Sequence, residues 1–507
     1  MDILVNLGAG FLDVFQPMNM LVMLIGLVLG MLVAVLPGLT LVMGVVLALP
    51  FTYNMGVLPA IILLTAMYVS GTYGGAFTSI LFRIPGEPID VPLLWDGYTM
   101  ARNGQPAKAL GWTLFAALGG GLLSAIVMVF LSHPVAKFAL TLSSPEYFAI
   151  LLFGMTSVVS LGGGSITNAF ISLFIGLLLS TVGVDSIYGT ERFAFGIPIL
   201  QDGIEYLLVM VGAYGLGEVF IRLEKGFQSD EIAAGNDGKD GKIATEFPTL
   251  AEAGSLKATF LRSSILGIII GIIPGAGATI ASFVSYGTES QYGKRREQMG
   301  SGIAEGIVAP QTAATASVGG ALIPLLTMGI PGSGATAIIL GAFLLHGIQP
   351  GPQIFVSSGP LVYAIFASLF VSIIGMCILG YFAIKPLVKV LGMPDPVVSA
   401  FVVMFCFIGA FAARNNLSDL YVITAFGILG YLFEKFKFPI APLVLGSILG
   451  PSAESAFMTM MVSENNNWSV LIARPVSATV MLMAVIALVY PILRQLRERG
   501  AAVAENS

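Results

Sequence analysis

The residues with the clearest chemical potential are proline–glycine pairs that interrupt apolar segments. Four of them stand out: Pro37-Gly38, Pro85-Gly86, Pro274-Gly275 and Pro331-Gly332. Proline removes a backbone N–H donor and clashes with the preceding helical turn, while glycine permits a sharp change of direction. Inside a membrane, backbone freed in this way is tolerated only where it is buried in protein or lines a water-filled cavity. Such breaks create helix N-termini, which favour anions, and carbonyl ends, which can hold Na⁺.

Small hydroxyl side chains follow three of these breaks, in "PGLT", "PGAGATIAS" and "PGSGAT". A hydroxyl beside a free amide can bind a carboxylate oxygen or complete a sodium shell. Close helix packing uses the same small residues, and a single Pro-Gly pair often only kinks a helix, so these alternatives stay open. Four breaks in two matched pairs nevertheless favour a binding site. The predicted substrate-binding residues are Pro37, Gly38, Thr40, Pro85, Gly86, Pro274, Gly275, Gly277, Thr279, Pro331, Gly332, Ser333 and Thr336, and a Na⁺ ion is considered at backbone carbonyls near Gly38, Gly275 and Gly332.

The composition requires a membrane around these breaks. The 507 residues are 56% hydrophobic and 10% charged, and the mean hydropathy is +0.92. A soluble domain carries about 25% charged residues. Apolar stretches recur at roughly the 20-residue length that a bilayer core demands, without the alternation of barrel strands. We predict an all-α polytopic membrane protein with about 11 to 13 crossings, some of them broken or re-entrant.

The breaks recur in the same order in each half of the chain. Gly30 precedes Pro37 by seven residues in "GMLVAVLPG", and Gly267 precedes Pro274 by seven in "GIIIGIIPG". Downstream, "GGAFTSILFRIPG" in the first half matches "GGALIPLLTMGIPG" in the second. An internal repeat of whole halves is typical of secondary transporters. We therefore predict a membrane repeat at 1–221, a polar linker at 222–257, a second repeat at 258–460, and a last helix with a basic tail at 461–507.

Charges near the ends predict the orientation. Arg494, Arg497 and Arg499 follow the last apolar segment and favour a cytoplasmic C-terminus by the positive-inside rule. Asp2 and Asp13 precede the first basic residue and weakly favour the opposite side for the N-terminus. An odd number of crossings would follow.

Several charged residues follow the second break, in "GEPIDVPLLWDGYTMARNG". Arg83 precedes this break and could attract an anionic substrate, but it is interpreted as an interfacial anchor whose charge reaches the head groups. Glu87, Asp90 and Asp96 are interpreted as mostly structural residues of a loop that returns to water, with Asp96-Gly97 as a turn signal.

Other ionisable residues indicate neither a metal site nor an enzyme. Glu289 and Glu305 could carry a coupling proton if buried, but the basic residues between them predict a solvated charge cluster. His133 and His346 have no partner at metal-ligand spacing. The nucleotide-binding pattern G-x-x-x-x-G-K-[ST] is absent from the sequence, and no catalytic constellation stands out, so the energy for any transport must come from a gradient or a partner.

The chain resembles the large transmembrane subunit (TctA family) of the tripartite tricarboxylate transporters along essentially its whole length apart from the linker. Taken together, the motifs that carry the resemblance are specific. They are "LPGLTLVMGVVLALPF", "YGGAFTSILFRIPGEPIDVPLLWDGYTMARNGQPAKALG", "IIPGAGATIASFVSYGTE", "GGALIPLLTMGIPGSGATAIILGA" and "PIAPLVLGSILGPSAES".

The resemblance implies a secondary transporter of the bacterial inner membrane and no enzyme activity. The partners that it implies are a small four-helix membrane subunit and a periplasmic solute-binding protein, which delivers a di- or tricarboxylate. A homodimer of the complex is also compatible with it. Na⁺ or H⁺ is the implied coupling ion, with no other cofactor and no nucleic acid. The implied fold is two inverted-topology repeats whose hairpins meet near the bilayer midplane and move as an elevator. A channel-like anion pore with a backbone-lined filter is the alternative.

The sequence departs from the family pattern at two places. In "APQTAATASVGG", Gln311 stands where an acid is typical, and Ala314-Thr315 stand where two amides are typical. Met458 stands where an arginine often follows Glu454. These departures put citrate in doubt as the substrate, but not carboxylates as a class.

Overall fold

The structure is a computed structural model that describes residues 2–36, 39–83, 85–161, 165–184, 190–226, 245–383, 387, 395–414, 416–486 and 488–489. Within these ranges the chain is almost entirely helical, as the composition predicts. The helices of the first half are α1 Asp2–Val14, α2 Pro17–Val35, α3 Leu41–Ala48, α4 Val57–Gly74, α5 Ala76–Phe82, α6 Leu93–Arg102, α7 Pro106–Ala139, α8 Ser144–Leu161, α9 Ile166–Ser180, α10 Pro198–Gln201, α11 Tyr206–Met210 and α12 Gly217–Lys225.

The helices of the second half begin at residue 250, near the C-terminal end of the predicted linker. They are α13 Leu250–Ser255, α14 Lys257–Ile272, α15 Gly277–Tyr292, α16 Glu305–Met328, α17 Gly334–Leu345, α18 Ile354–Ser357, α19 Gly359–Phe382, α20 Asp395–Arg414, α21 Ser418–Lys435, α22 Ile440–Ser463, α23 Val470–Ala473 and α24 Pro475–Ile486.

Short irregular elements join some of these helices. A 3₁₀ turn at Pro88–Asp90 connects α5 to α6, and a π-helical stretch at Val211–Leu216 connects α11 to α12. The strands of the described residues are β1 Gly183–Val184 and β2 Glu191–Arg192, which pair antiparallel.

Seven helices of the described part are long and apolar enough to cross a membrane. They are Pro17–Val35, Val57–Phe82, Pro106–Ala139, Tyr206–Glu224, Glu305–Met328, Gly359–Phe382 and Ile440–Ser463. Shorter apolar helices, among them Ile166–Ser180 and Gly334–Leu345, lie between them. The chain is therefore a multi-pass membrane protein, while the predicted 11 to 13 crossings depend on how many short helices cross or re-enter.

The chain forms two compact units, and each draws on both halves of the sequence. One unit contains residues 1–137 and 225–405, and the other contains residues 138–224 and 406–507. The predicted division at 222–257 into two sequence repeats stays a prediction. Half of that linker, residues 227–244, and the arginines of the C-terminal tail lie outside the described residues.

In the first unit, α2 packs closely against α4. A Cβ added to Gly30 would lie 2.4 Å from the carbonyl oxygen of Met67, and one added to Gly74 would lie 2.9 Å from that of Met31. Because these distances are shorter than any ordinary contact, the two backbones approach closely only with glycine at these positions.

The helices α14 and α16 of the same unit repeat this contact. A Cβ added to Gly267 would lie 2.3 Å from the carbonyl oxygen of Ala313, and one added to Gly320 would lie 2.5 Å from that of Ile268. Residue numbers differ by 237 between α2 and α14 (30 and 267, 31 and 268) and by 246 between α4 and α16 (67 and 313, 74 and 320). The two helix pairs therefore make equivalent contacts. The inverted topology of the two halves stays a prediction.

In the second unit, α9 packs against α22 and α21 packs against the π-helical stretch. A Cβ on Gly176 would lie 2.0 Å from the carbonyl oxygen of Leu443, and one on Gly430 would lie 2.3 Å from that of Ala213. Small residues again let helices approach closely. Such close packing is needed because the hydrophobic effect does not favour helix association in lipid.

Candidate functional site

The first break separates α2 from α3. Pro37 and Gly38 lie outside the described residues, but the helix ends beside them are clear. Helix α2 ends at Val35, and Thr40 is the exposed N-cap of α3, where its hydroxyl accepts a hydrogen bond from the Met43 N–H at 3.2 Å. A break at "LPGLT" therefore starts a new helix, as the sequence predicts.

The second break ends α5. Arg83 adopts a left-handed conformation with φ 60°, and Pro85 is exposed while Gly86 is buried. A Cβ on Gly86 would lie 2.3 Å from the carbonyl oxygen of Ala34 and 2.5 Å from the Cα of Gly75. Only glycine allows the chain to pass this close to the end of α2.

The third break separates α14 from α15. Gly275 and Gly277 have φ of +80° and +63°, a conformation that side chains disfavour. Pro274 is buried, and Thr279 in the first turn of α15 is partly exposed. The N-cap of α15 is Ala276, and no side chain caps this helix. Its first-turn amides therefore lack the side-chain acceptor that usually satisfies a helix N-terminus.

The fourth break separates α16 from α17. Pro331 and Gly332 are buried, and a Cβ on Gly332 would lie 2.4 Å from the carbonyl oxygen of Gly271. Ser333 caps α17 in a reciprocal box with Thr336. The Ser333 hydroxyl accepts from the Thr336 N–H at 3.3 Å, and the Thr336 hydroxyl accepts from the Ser333 N–H at 2.8 Å.

Contacts between residues distant in sequence bring the four breaks together. The Leu41 N–H, at the start of α3, donates to the carboxyl group of Glu87 beside the second break. A Cβ on Gly334 would lie 3.1 Å from Val42 Cγ2, and one on Gly277 would lie 3.5 Å from the Cβ of Ser333. The starts of α3, α15 and α17 therefore lie close together.

Two further hydrogen bonds tie the halves together at this place. The Ser282 hydroxyl on α15 donates to the Ile89 carbonyl at 2.7 Å, and the Ser333 hydroxyl donates to the Tyr68 hydroxyl of α4 at 3.1 Å. Ser282 is the last residue of the stretch "PGAGATIAS" that follows the third break, whereas Tyr68 was missed because nothing local distinguishes a tyrosine inside an apolar helix.

The predicted binding residues fall into two groups by burial. The buried group forms the frame of the breaks and comprises Gly86, Pro274, Pro331, Gly332 and Thr336. The group that is at least partly accessible comprises Thr40, Pro85, Gly275, Gly277, Thr279 and Ser333. Only the second group can contact a dissolved ligand without rearrangement.

Glu87 and Asp90 form a buried carboxyl pair at the second break. Their side chains are 8% and 1% exposed, and the Glu87 N–H donates to Asp90 Oδ2 at 3.1 Å. Within the described residues, no Lys, Arg or His side chain forms an ion pair with either. The predicted loop returning to water is wrong here, because the tertiary contacts with α2, α3 and α5 enclose the segment.

The other acids of interest have identified partners. Glu289 is buried against the Arg262 guanidinium and the Thr259 hydroxyl, and Glu305 is buried against Arg295. The predicted solvated cluster is therefore wrong for both carboxylates. Arg83 is exposed, and its guanidinium lies 5.6 Å from the centre of the Tyr98 ring.

The departures from the family pattern have structural counterparts. The Gln311 amide, which is buried, donates to the Thr72 carbonyl and to the Thr315 hydroxyl, both at 3.1 Å. In the other unit, Glu454 accepts two hydrogen bonds from the Arg192 guanidinium, at 2.5 and 3.1 Å. Glu454 thus has an arginine partner from β2 although Met458 supplies none.

The described residues contain no group of three or more His, Cys, Asp or Glu side chains that could hold a metal ion. Carbonyl oxygens lie outside that criterion, so Na⁺ near Gly38, Gly275 and Gly332 stays a prediction.

Comparisons with known proteins agree with the resemblance. The model of the "Tripartite tricarboxylate transporter TctA family" matches residues 20–445. The chain is 33% identical, over 98% of both chains, to an uncharacterized 52.8 kDa protein in the TAR-I ttuC′ 3′ region of Agrobacterium vitis. It is 34% identical, over 46% of this chain and 96% of the relative, to an uncharacterized protein in the TAR-II ttuC′ 3′ region of the same organism. No solved structure matches it significantly.

Proposed function

Since the chain belongs to the TctA family and is thus a tripartite tricarboxylate transporter subunit, we propose that it imports a di- or tricarboxylate by ion-coupled secondary transport. The substrate is held between the paired Pro-Gly breaks near the bilayer midplane. The observation that carries this proposal is the meeting of the four breaks, which places the starts of α3, α15 and α17 together inside one compact unit.

The anionic substrate binds on the second-half side. Helix α15 starts without a side-chain cap, and α17 is capped only by the neutral hydroxyls of Ser333 and Thr336. Helix N-termini carry partial positive charge and free N–H groups, so this side favours a carboxylate. Gly275, Gly277 and Thr279 are accessible there and offer backbone and hydroxyl donors.

The coupling cation, H⁺ or Na⁺, binds on the first-half side. Two buried carboxyl groups at Glu87 and Asp90 without a described cationic partner cannot both stay ionised at reasonable cost. A proton shared by the pair, or a Na⁺ ion, neutralises one of the two charges and lowers that cost. The bound cation also weakens the repulsion between this pair and an anionic substrate across the breaks, which gives a physical basis for symport.

The remaining parts of the proposal follow from the family. The chain acts in the bacterial inner membrane with a small four-helix subunit and a periplasmic binding protein that delivers the carboxylate. Its halves are inverted repeats, and the binding site moves across the membrane as an elevator. The equivalent contacts of α2–α4 and α14–α16 support the repeat.

The test is uptake of radiolabelled di- and tricarboxylates into proteoliposomes that contain this chain, its small partner and the binding protein. Na⁺ and H⁺ gradients are imposed separately. We expect saturable uptake that depends on one gradient and on the binding protein. Non-saturable flux without a gradient would instead indicate an anion pore and contradict the carrier mechanism.

A further inference from the structure

A third buried carboxylate of this segment, Asp96, is not part of the binding surface. It lies in the first turn of α6 and is fully buried. Oδ1 accepts hydrogen bonds from the N–H groups of Gly302 at 2.8 Å and Ile303 at 3.0 Å, and Oδ2 accepts from the Gly300 N–H at 2.9 Å. The Tyr286 hydroxyl donates to Oδ2 at 2.9 Å.

The loop that surrounds this carboxylate is shaped to donate to it. Gly300 and Gly302 have φ of +88° and +96°, which turns successive N–H groups toward one point. Such a concave set of amides is an anion-binding nest. A Cβ on Gly306 would lie 1.9 Å from Asp96 Oδ2, so the start of α16 closes the remaining side. The nest is therefore filled by a side chain of the chain itself.

The donors come from the other half of the sequence. Asp96 follows the second break, whereas Tyr286 belongs to α15, and the loop connects α15 to α16. The Trp95 ring adds a contact, with its centroid 4.6 Å from the Tyr286 ring and 6.0 Å from the Phe283 ring. The segment with Glu87 and Asp90 is thereby joined to the helix whose uncapped start faces the third break.

We propose that Asp96 is a positioning residue that fixes the second break against α15, acting through Tyr286 and the 300–303 loop. It sets the separation between the cation side and the anion side, and so the affinity for the substrate. The effect on substrate affinity rests on the proposed function, whereas the positioning of the second break against α15 does not.

The experiment uses the assembled transporter with Asp96→Asn or Tyr286→Phe, with Glu297→Gln as the control. Glu297 is an exposed carboxylate next to the same loop and has no described hydrogen bond or ion pair. Hydrogen exchange is measured on peptides covering 277–286 and 299–304, together with uptake kinetics normalised to folded protein.

Tyr286→Phe removes the hydrogen bond that the tyrosine hydroxyl donates to Asp96 Oδ2. We expect faster exchange in 277–286 but unchanged exchange in 299–304, and a KM for uptake raised about tenfold with maximal velocity retained. Asp96→Asn should accelerate exchange in both segments and raise KM further, because an amide nitrogen cannot accept from the nest. Glu297→Gln should behave as the wild type.

The outcomes separate the two proposals. If exchange in 277–286 stays at the wild-type rate in both variants, or if they only lower thermal stability while KM is unchanged, Asp96 is merely structural and the proposal is overturned. If exchange changes as expected but the wild-type protein takes up no carboxylate, the positioning role stands and the proposed substrate class fails.

Discussion

The capping box at Glu87 and Asp90 and the capping box at Ser333 and Thr336 occupy equivalent places in the two halves. The residue numbers of the second pair exceed those of the first by 246, the same offset that relates α4 to α16. In each box the side chain of the second residue accepts a hydrogen bond from the N–H of the first. In one half both residues are acids, and in the other both are hydroxyls. The same backbone frame therefore carries opposite electrostatic preferences.

The glycines before these boxes show how closely the frame is shared. A Cβ on Gly86 would meet the Ala34 carbonyl oxygen at 2.3 Å, and a Cβ on Gly332 would meet the Gly271 carbonyl oxygen at 2.4 Å. Ala34 and Gly271 are related by the offset of 237 that relates α2 to α14. Both halves therefore keep the same close backbone contacts, while the side chains that follow these glycines differ in chemistry.

The largest effect is expected where the frame itself is broken. Gly86→Ala and Gly332→Ala should each destabilise the protein by about 1–3 kcal/mol, because the new methyl meets backbone atoms that cannot move away. Carboxylate uptake should also fall in both variants. Thermal unfolding in detergent and uptake measure this. Gly287→Ala is the control, since a Cβ there meets nothing within 4 Å. If only one of the two variants loses stability and uptake, the close backbone contact matters in one half alone and the two halves are not equivalent.

Exchange of the chemistry between the boxes tests the division of roles. The double variant Glu87→Ser with Asp90→Thr keeps a capping box but removes both carboxyl groups. We expect thermal stability near that of the wild type, loss of gradient-driven accumulation, and retention of carboxylate exchange across the membrane. Accumulation that persists under the same gradient would remove the coupling role from this pair. Counterflow and net uptake in the same proteoliposomes distinguish the cases.

A smaller effect is expected from the hydroxyl caps. Ser333→Ala removes the cap of α17 and the bond to Tyr68, and it should cost about 1 kcal/mol and raise the KM for substrate. Thr40→Ala removes one capping bond in the first half and should leave KM less affected. Thr288→Ala, whose hydroxyl bonds only within its own helix, controls for hydroxyl loss. An equal rise of KM for Thr40→Ala would contradict an anion site confined to the second half.

The smallest effect is expected at Glu252, a carboxylate that forms an ion pair, whereas Glu87 forms none among the described residues. Glu252, near the C-terminal end of the predicted linker, accepts from Lys108 at 2.5 Å and from the backbone of Thr249, and these bonds lower its pKa from 4.5 to about 2. Since the pKa is lower in the folded state, its stabilisation is complete above about pH 4.5 and is lost as pH falls toward 2. Protection of residues 245–256 from hydrogen exchange should therefore weaken over that range, and Glu252→Gln should abolish the pH dependence. Unchanged protection would show that this ion pair does not anchor the linker end.

The membrane class, the helical fold, the positions of the breaks and their pairing in two halves can all be predicted from the residues alone. These features depend on local composition, on proline and glycine, and on spacing along the chain. The starts of α3, α15 and α17 follow directly from the residues around each break. The hydroxyls at Thr40, Ser333 and Thr336 are predicted as ligands from their places after the breaks, and the structure shows that they cap helices.

Which charges are buried, and what they contact, depends instead on the folded chain. Glu87, Asp90 and Asp96 lie in a proline-containing segment that reads as a loop in water, but packing against α2, α5, α15 and the 300–303 loop encloses them. The partners of Asp96 lie about two hundred residues away in sequence. Burial of a charge depends on such distant donors, since its cost is met only when the chain has folded around it.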